Sequence, residues 1–206
     1  MRRPFSLAAY LALARGRDRQ PDADQTWPER PDGPVVWLHS DTQARLETLM
    51  TVMARLRLQR RDFAMLLTSD AAGAHPFTIN SDPVYAPPAE TLVETRRFIA
   101  HWSPDVLIWA GNSLRPALQY EAAQKDTRSI LVDAADEPWR QPSKRWVPDA
   151  AAGALSLFHQ IVAQDEAAAR RLRKLGVPNG RIDVASPLME EVFPVSSHDG
   201  LHEVLT

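Results

Sequence analysis

From Pro34 onward the chain alternates short apolar runs with longer segments of helical period, and this alternation constrains the fold more than any single motif. "PVVWLHS", "DFAMLLTS", "PDVLIWAG", "RSILVDA", "QIVAQD" and "RIDVAS" are each brief and nearly continuous in apolar side chains, as strands covered on both faces must be. Between them lie helical segments: "TQARLETLMTVMARLRLQ" (apolar at Leu46, Leu49, Met50, Met53 and Leu56), "AETLVETRRFIAHW", "SLRPALQYEAAQK", "AAAGALSLFH" and "EAAARRLRKLG", the last closed by Gly176. "SDPVYAPP" reads as a short edge-like strand closed by prolines. The expected fold is α/β, a Rossmann-like, doubly wound and mostly parallel sheet flanked by helices. Ligands of such sheets bind beyond the carboxyl ends of the strands, so "HSDTQAR", "TSDAAG", "AGNS", "DAADE" and "QDE" are the segments to search.

A chain of 206 residues can bury one sizeable core. The net charge of −2 argues against a nucleic-acid partner, which calls for a basic surface. With no cysteine there is neither a disulfide nor a thiolate metal centre, and neither a metal nor a cofactor is expected. GxGxxG and GxxxxGK[ST], the common nucleotide fingerprints, are absent, and so is the GxSxG elbow of hydrolases. His39, Ser40 and Asp41 are too close in sequence to form a triad, since Ser40 is adjacent to its would-be base.

Residues 1–33 read as an amphipathic helix followed by a polar linker rich in proline and aspartate, residues 34–188 as the Rossmann-like domain, and residues 189–206 as a tail. In the first of these, Arg2, Arg3, Arg15, Arg17 and Arg19 flank an apolar stretch too short to span a bilayer. Two readings stay open: a helix packed on its own domain, or one lying on an anionic membrane surface. "TSDAAG" (Thr68, Ser69, Gly73) can present hydroxyls and backbone N–H groups to an anion, or close an ordinary capped turn. Asp133, Asp136 and Glu137 gather after a strand, where carboxylates bind a sugar or a metal, or simply face solvent. Trp102, Trp109, Trp139 and Trp146 offer faces for a sugar ring, with Trp102 and Trp109 better suited to the core.

The colinear set "RPDGPVVWLHS", "FAMLLTSDAAG", "VYAPPAETLVETRRFIAHWSPDVLIWAGNSLRPAL" and "QIVAQDEAAARRLRKLGVPNGRIDVASPL" resembles the N-terminal domain of the 3-deoxy-D-manno-octulosonic acid (Kdo) transferases over roughly residues 34–188. The resemblance implies the acceptor-side half of a GT-B glycosyltransferase that adds Kdo from CMP-Kdo to lipid A precursors at the inner membrane. The family pattern after the first strand is His-Ala-x-Ser-x-Gly-Glu, whose glutamate is the proposed general base. Here those positions read "HSDTQAR": His39 is kept, Thr42 replaces serine, Ala44 replaces glycine and Arg45 replaces the glutamate. An arginine cannot accept a proton at physiological pH but favours anions. The family's threonine-rich turn appears as "TSDAAG", its Glu-Thr-Glu-Leu-Trp-Pro segment as "AGNSLRP", its Asn-Ala-Arg-Leu-Ser segment as "DAADE" and its closing Gly-Asn-x-Lys as "SPLM".

The expected protein is therefore a Kdo transferase-like domain linked to lipopolysaccharide biosynthesis without catalysis of its own, because the base position is Arg45 and a second, donor-binding domain is not encoded in these residues. The alternative is a non-catalytic scaffold, or an anion- or sugar-binding domain, regulating a partner glycosyltransferase. Expected ligand-binding residues are His39, Thr42, Arg45, Thr68, Ser69 and Gly73. Expected partners are a lipid A precursor or other anionic glycolipid and a separate donor-binding domain or active transferase. The expected location is cytoplasmic and peripheral to the inner membrane.

Overall fold

The computed structural model describes residues 5–15, 27–59, 62–72, 77–140 and 150–187. In chain order these form helix α1 (Phe5–Arg15), strand β1 (Val35–Ser40), α2 (Gln43–Gln59), β2 (Ala64–Ser69), β3 (Phe77–Ile79), β4 (Asp82–Tyr85), α3 (Leu92–Trp102), β5 (Val106–Ala110), α4 (Pro116–Gln124), β6 (Arg128–Ala134), α5 (Ala150–Leu155), β7 (Gln160–Ala163), α6 (Glu166–Lys174) and β8 (Ile182–Val184). The strands make one sheet in the order β3-β4-β2-β1-β5-β6-β7-β8. It is parallel throughout except where β3 runs against β4.

The period-two geometry of a strand divides its side chains between two faces, and both faces here are apolar. Trp37, Leu66, Leu107, Trp109, Leu131 and Ile161 point into one core with Phe98 of α3, Leu118 of α4, Leu155 of α5 and Leu172 of α6. Leu38, Leu67, Val84 and Ala110 point the other way, against Leu46, Leu49, Met50 and Met53 of α2. Trp102 and Trp109 are core residues, as expected, and Trp139 packs against the same core; Trp146 lies outside the described residues.

The helix ends follow local chemistry. Thr91 caps α3 by accepting from Glu94 N–H, and Asp165 caps α6 by accepting from Ala168 N–H. Gly176 closes α6 at φ +86°, while Val177 N–H reaches back to Leu172 C=O and both side chains are buried, a Schellman arrangement.

One expectation is corrected. The "SDPVYAPP" strand, β4, is not an edge strand: β3 lies outside it and pairs Phe77 with Val84 and Ile79 with Asp82. The reason is a two-residue turn in which Asn80 (φ 51°) and Ser81 (φ 73°) are both left-handed, the geometry that folds a hairpin back on itself.

Of the two readings of the N-terminal helix, the structure shows packing on the domain. Leu7, Tyr10, Leu11 and Ala14 of α1 are buried against Leu92, Ala117 and Ala150. Among the described residues no helix is long and apolar enough to cross a membrane. The approach at α5 is close enough that a Cβ on Gly153 would stand 2.8 Å from Leu7 Cβ. Gly153→Leu is therefore expected to displace α1 and cost about 1–3 kcal/mol, as overpacking does. Amide exchange of residues 7–14 should quicken with it, and unchanged exchange there would contradict this docking.

Candidate functional site

β1 lies between β2 and β5, so the chain leaves it toward opposite sides of the sheet, and the carboxyl ends here are where ligands of such folds bind. His39 ends up buried beneath that mouth. It is fully buried, and its ring lies 3.7 Å, centroid to centroid, from Trp109 on β5. Thr68 Oγ1 accepts from Trp37 Nε1 (2.8 Å) and is 2.8 Å from His39 Nδ1. Thr68 Oγ1 thus bridges the indole of Trp37 and the imidazole of His39. Nε2 faces Asp70 Oδ2 at 4.0 Å, and no hydrogen bond forms there. Burial pushes the ring pKa down to about 3, although Asp70 pulls the other way, so His39 is neutral at physiological pH.

The "TSDAAG" segment closes on itself. Ser69 Oγ accepts from Ala71 N–H (3.1 Å), and Asp70–Ala72 form a single 3-10 turn. Thr68 and Ser69 are both fully buried, and Gly73 lies outside the described residues. Asp70 instead accepts from Ser113 Oγ and Arg115 Nε, both at 3.0 Å. Burial alone would raise the Asp70 carboxyl, but the Arg115 guanidinium beside it and the bonds from Ser113 and Arg115 hold it below the usual range. Arg115 also donates to Pro88 C=O and stands 3.9 Å from Glu90. Glu90 is buried, and its Oε1 accepts from Tyr10 of α1 (3.2 Å) and from Ala117 N–H at the start of α4 (2.6 Å).

The mouth itself is organised around Arg45. Thr42 caps α2: its Oγ1 accepts from Arg45 N–H (3.4 Å) and its carbonyl from Leu46 N–H. Arg45 therefore stands in the first turn, where the positive end of the helix dipole disfavours a cation. Two carboxylates offset this. Arg45 Nε donates to Asp133 Oδ2 (2.6 Å) and its NH1 to Asp41 Oδ1 (3.0 Å). Burial draws the guanidinium pKa down, but the bonds to Asp133 and Asp41 outweigh it and leave it raised. Asp133 reaches Arg45 because a register shift in the β6–β7 pairing sits at Leu131/Ala134 and Asp133 is left-handed (φ 58°), which re-aims its side chain. Gln164 Nε2 holds its other oxygen at 2.6 Å. Arg140 pairs with Asp41 from the far side.

The segment carrying Arg140 is pinned across the mouth. Arg140 N–H donates to Asn112 C=O, Leu114 N–H to Arg140 C=O, and the Asn112 amide bonds the backbone of Ala135 and Glu137. The loops after β1, β5, β6 and β7 are thus tied together where such folds admit ligands.

Of the expected residues, Thr42 and Arg45 are at the mouth, while His39, Thr68 and Ser69 lie buried beneath it. Asp133 joins the site as Arg45's partner, but Asp136 pairs with Arg171 and does not. No three metal-ligating groups converge among the described residues. Asp41, Asp70, Ser113, Arg115 and Arg140 were not singled out for binding by the sequence. Their only signal was position, just past strand ends.

Fold and site together define a Rossmann-like α/β domain with a polar mouth at its switch point. The chain shares this fold with the UDP-GlcNAc 2-epimerase of Methanocaldococcus jannaschii (TM-score 0.51, 13% identity, 74% of this chain and 45% of that one). A second UDP-N-acetylglucosamine 2-epimerase structure matches with TM-score 0.52 at 13% identity, over 76% of this chain and 49% of that one. The profile of the family described as 3-deoxy-D-manno-octulosonic-acid transferase (kdotransferase) matches residues 15–189, and the chain belongs to that family. It is 23% identical over 180 residues to the 3-deoxy-D-manno-octulosonic acid transferase of Rickettsia felis, covering 80% of this chain and 38% of that protein. It is 27% identical over 104 residues to a probable mitochondrial 3-deoxy-D-manno-octulosonic acid transferase of Arabidopsis thaliana, covering 45% of this chain and 23% of the relative. The chain thus spans well under half the length of these relatives.

The Glu90 cluster gives a pH test. Burial pushes the Glu90 carboxyl from its ordinary 4.5 up to about 7, against the pull of Arg115 and the bonds from Ala117 and Tyr10. Between those values Glu90 is protonated when folded and ionised when unfolded. Stability is therefore full below about pH 4.5, falls by up to about 1.4 kcal/mol per pH unit, and levels off above about 7. Glu90→Gln should remove this component, so urea midpoints at pH 5.5 and 8 should differ less in the variant than in the wild type. Parallel pH profiles would contradict the assignment.

Proposed function

We propose that this domain is the acceptor-side half of a Kdo transferase-type system serving lipopolysaccharide assembly, and that its mouth does not perform proton abstraction. The observation that carries this reading is Arg45. It occupies the position that the resemblance aligns with the general base, and its guanidinium is bonded to Asp133 and Asp41. A guanidinium so held stays cationic, and a hydroxyl facing it finds no acceptor. The neighbouring carboxylates are poor substitutes, because Asp41 bridges two arginines and Asp133 an arginine and an amide.

The partners that fit are an anionic glycolipid of the lipid A precursor class, met at the membrane surface, and a transferase or donor-binding domain that supplies the chemistry. The family of the chain supports the first; the arginine at the base position supports the second and favours a scaffolding or regulatory part. Incubated with CMP-Kdo and a lipid A precursor, the protein is expected to give no mass gain in the acceptor. Turnover by the wild-type protein would overturn the reading.

A further inference from the structure

The environment of Asp41 is that of a bound ligand. Its side chain is 3% exposed although it belongs to the turn between β1 and α2. Arg45 NH1 meets one carboxylate oxygen at 3.0 Å and Arg140 meets the other. The third wall is Gly111 (φ 97°), where a Cβ would stand 2.5 Å from Asp41 Oδ1. Two guanidinium groups facing one oxyanion across a wall without a side chain is an arrangement suited to carboxylate and phosphate alike.

We propose that Asp41 is the built-in occupant of a phosphate-class oxyanion seat formed by Arg45, Arg140 and the bare backbone at Gly111. The tether presents the carboxylate at an effective concentration of about millimolar or above, so a soluble anion loses to it. The seat opens when Asp41 leaves, and Arg140, whose side chain is 62% exposed, is the part able to follow an incoming ligand. The natural occupant would be a phosphate monoester, soluble or carried on a lipid. The proposal goes beyond the reaction proposed above and does not depend on it: Kdo transfer by the wild-type protein would overturn that reading and leave the seat intact.

The test is calorimetric titration with inorganic phosphate. The wild type should show no saturable binding, whereas Asp41→Ala should bind at least about tenfold more tightly and lose the gain when Arg140→Ala is added. Asp41→Asn, which preserves shape, should show a smaller gain and guards against loss of the fold in the alanine variant. Co-sedimentation with phosphatidylcholine vesicles, with and without lipid A, separates the sources. Pelleting of Asp41→Ala only with lipid A, and only with Arg140 present, marks a lipid-borne phosphate; phosphate binding without pelleting marks a soluble one. The proposal is overturned if neither Asp41 variant binds phosphate better than the wild type, or if the gain survives loss of Arg140.

Discussion

A cation in the first turn of a helix is held against the helix dipole, and in this protein much of the mouth's architecture answers that constraint. Arg45 is acceptable there because Asp41 comes from its own turn and Asp133 from across the sheet. Each carboxylate is then tied further, Asp133 to Gln164 after β7 and Asp41 to Arg140 beyond β6. Because the Asp133 side chain is fully buried, removing the guanidinium that pairs with it is expected to destabilise, and breaking a buried pair typically costs about 3–5 kcal/mol. The network therefore fixes the relative positions of the loops that elsewhere in such folds move to admit a ligand.

Beneath the mouth runs a second polar chain, from Trp37 through Thr68 and His39 to Asp70, then Arg115, Glu90 and Tyr10. It links the end of β1 to the N-terminal helix. Its members are mostly buried, and all but His39 Nε2 and Glu90 Oε2 among its fully buried side-chain polar atoms are hydrogen-bonded. His39 and Thr68 join the ends of β1 and β2, with the imidazole packed against Trp109 and its Nε2 left without a hydrogen bond. The histidine shared with the family pattern thus lies buried beneath the mouth in this chain.

The fold was legible because strand and helix periods are local. The runs "VVWLHS" and "VLIWA" needed nothing beyond themselves to announce buried strands, and Gly176 announced the end of α6. The hairpin was missed because the left-handed pair that makes it is Asn80–Ser81, with no glycine to flag it. The site was half legible. Position past a strand end pointed to Thr42 and Arg45, and the substitution at Arg45 was plain. Its partner Asp133 was not, because it lies 88 residues away and is aimed by a bulge that no spacing rule reveals. Arg45 therefore read as a free anion binder, whereas the fold supplies its anions internally.

The most direct measurement is a double-mutant cycle on urea stability with Arg45→Met and Asp133→Asn. If Arg45 is the keystone of the mouth, either single variant breaks the buried pair and the second substitution adds little more, giving a coupling of about 1–3 kcal/mol. Additivity within about 0.5 kcal/mol would contradict the account, since the two groups would then contribute independently and the mouth would be held by something else.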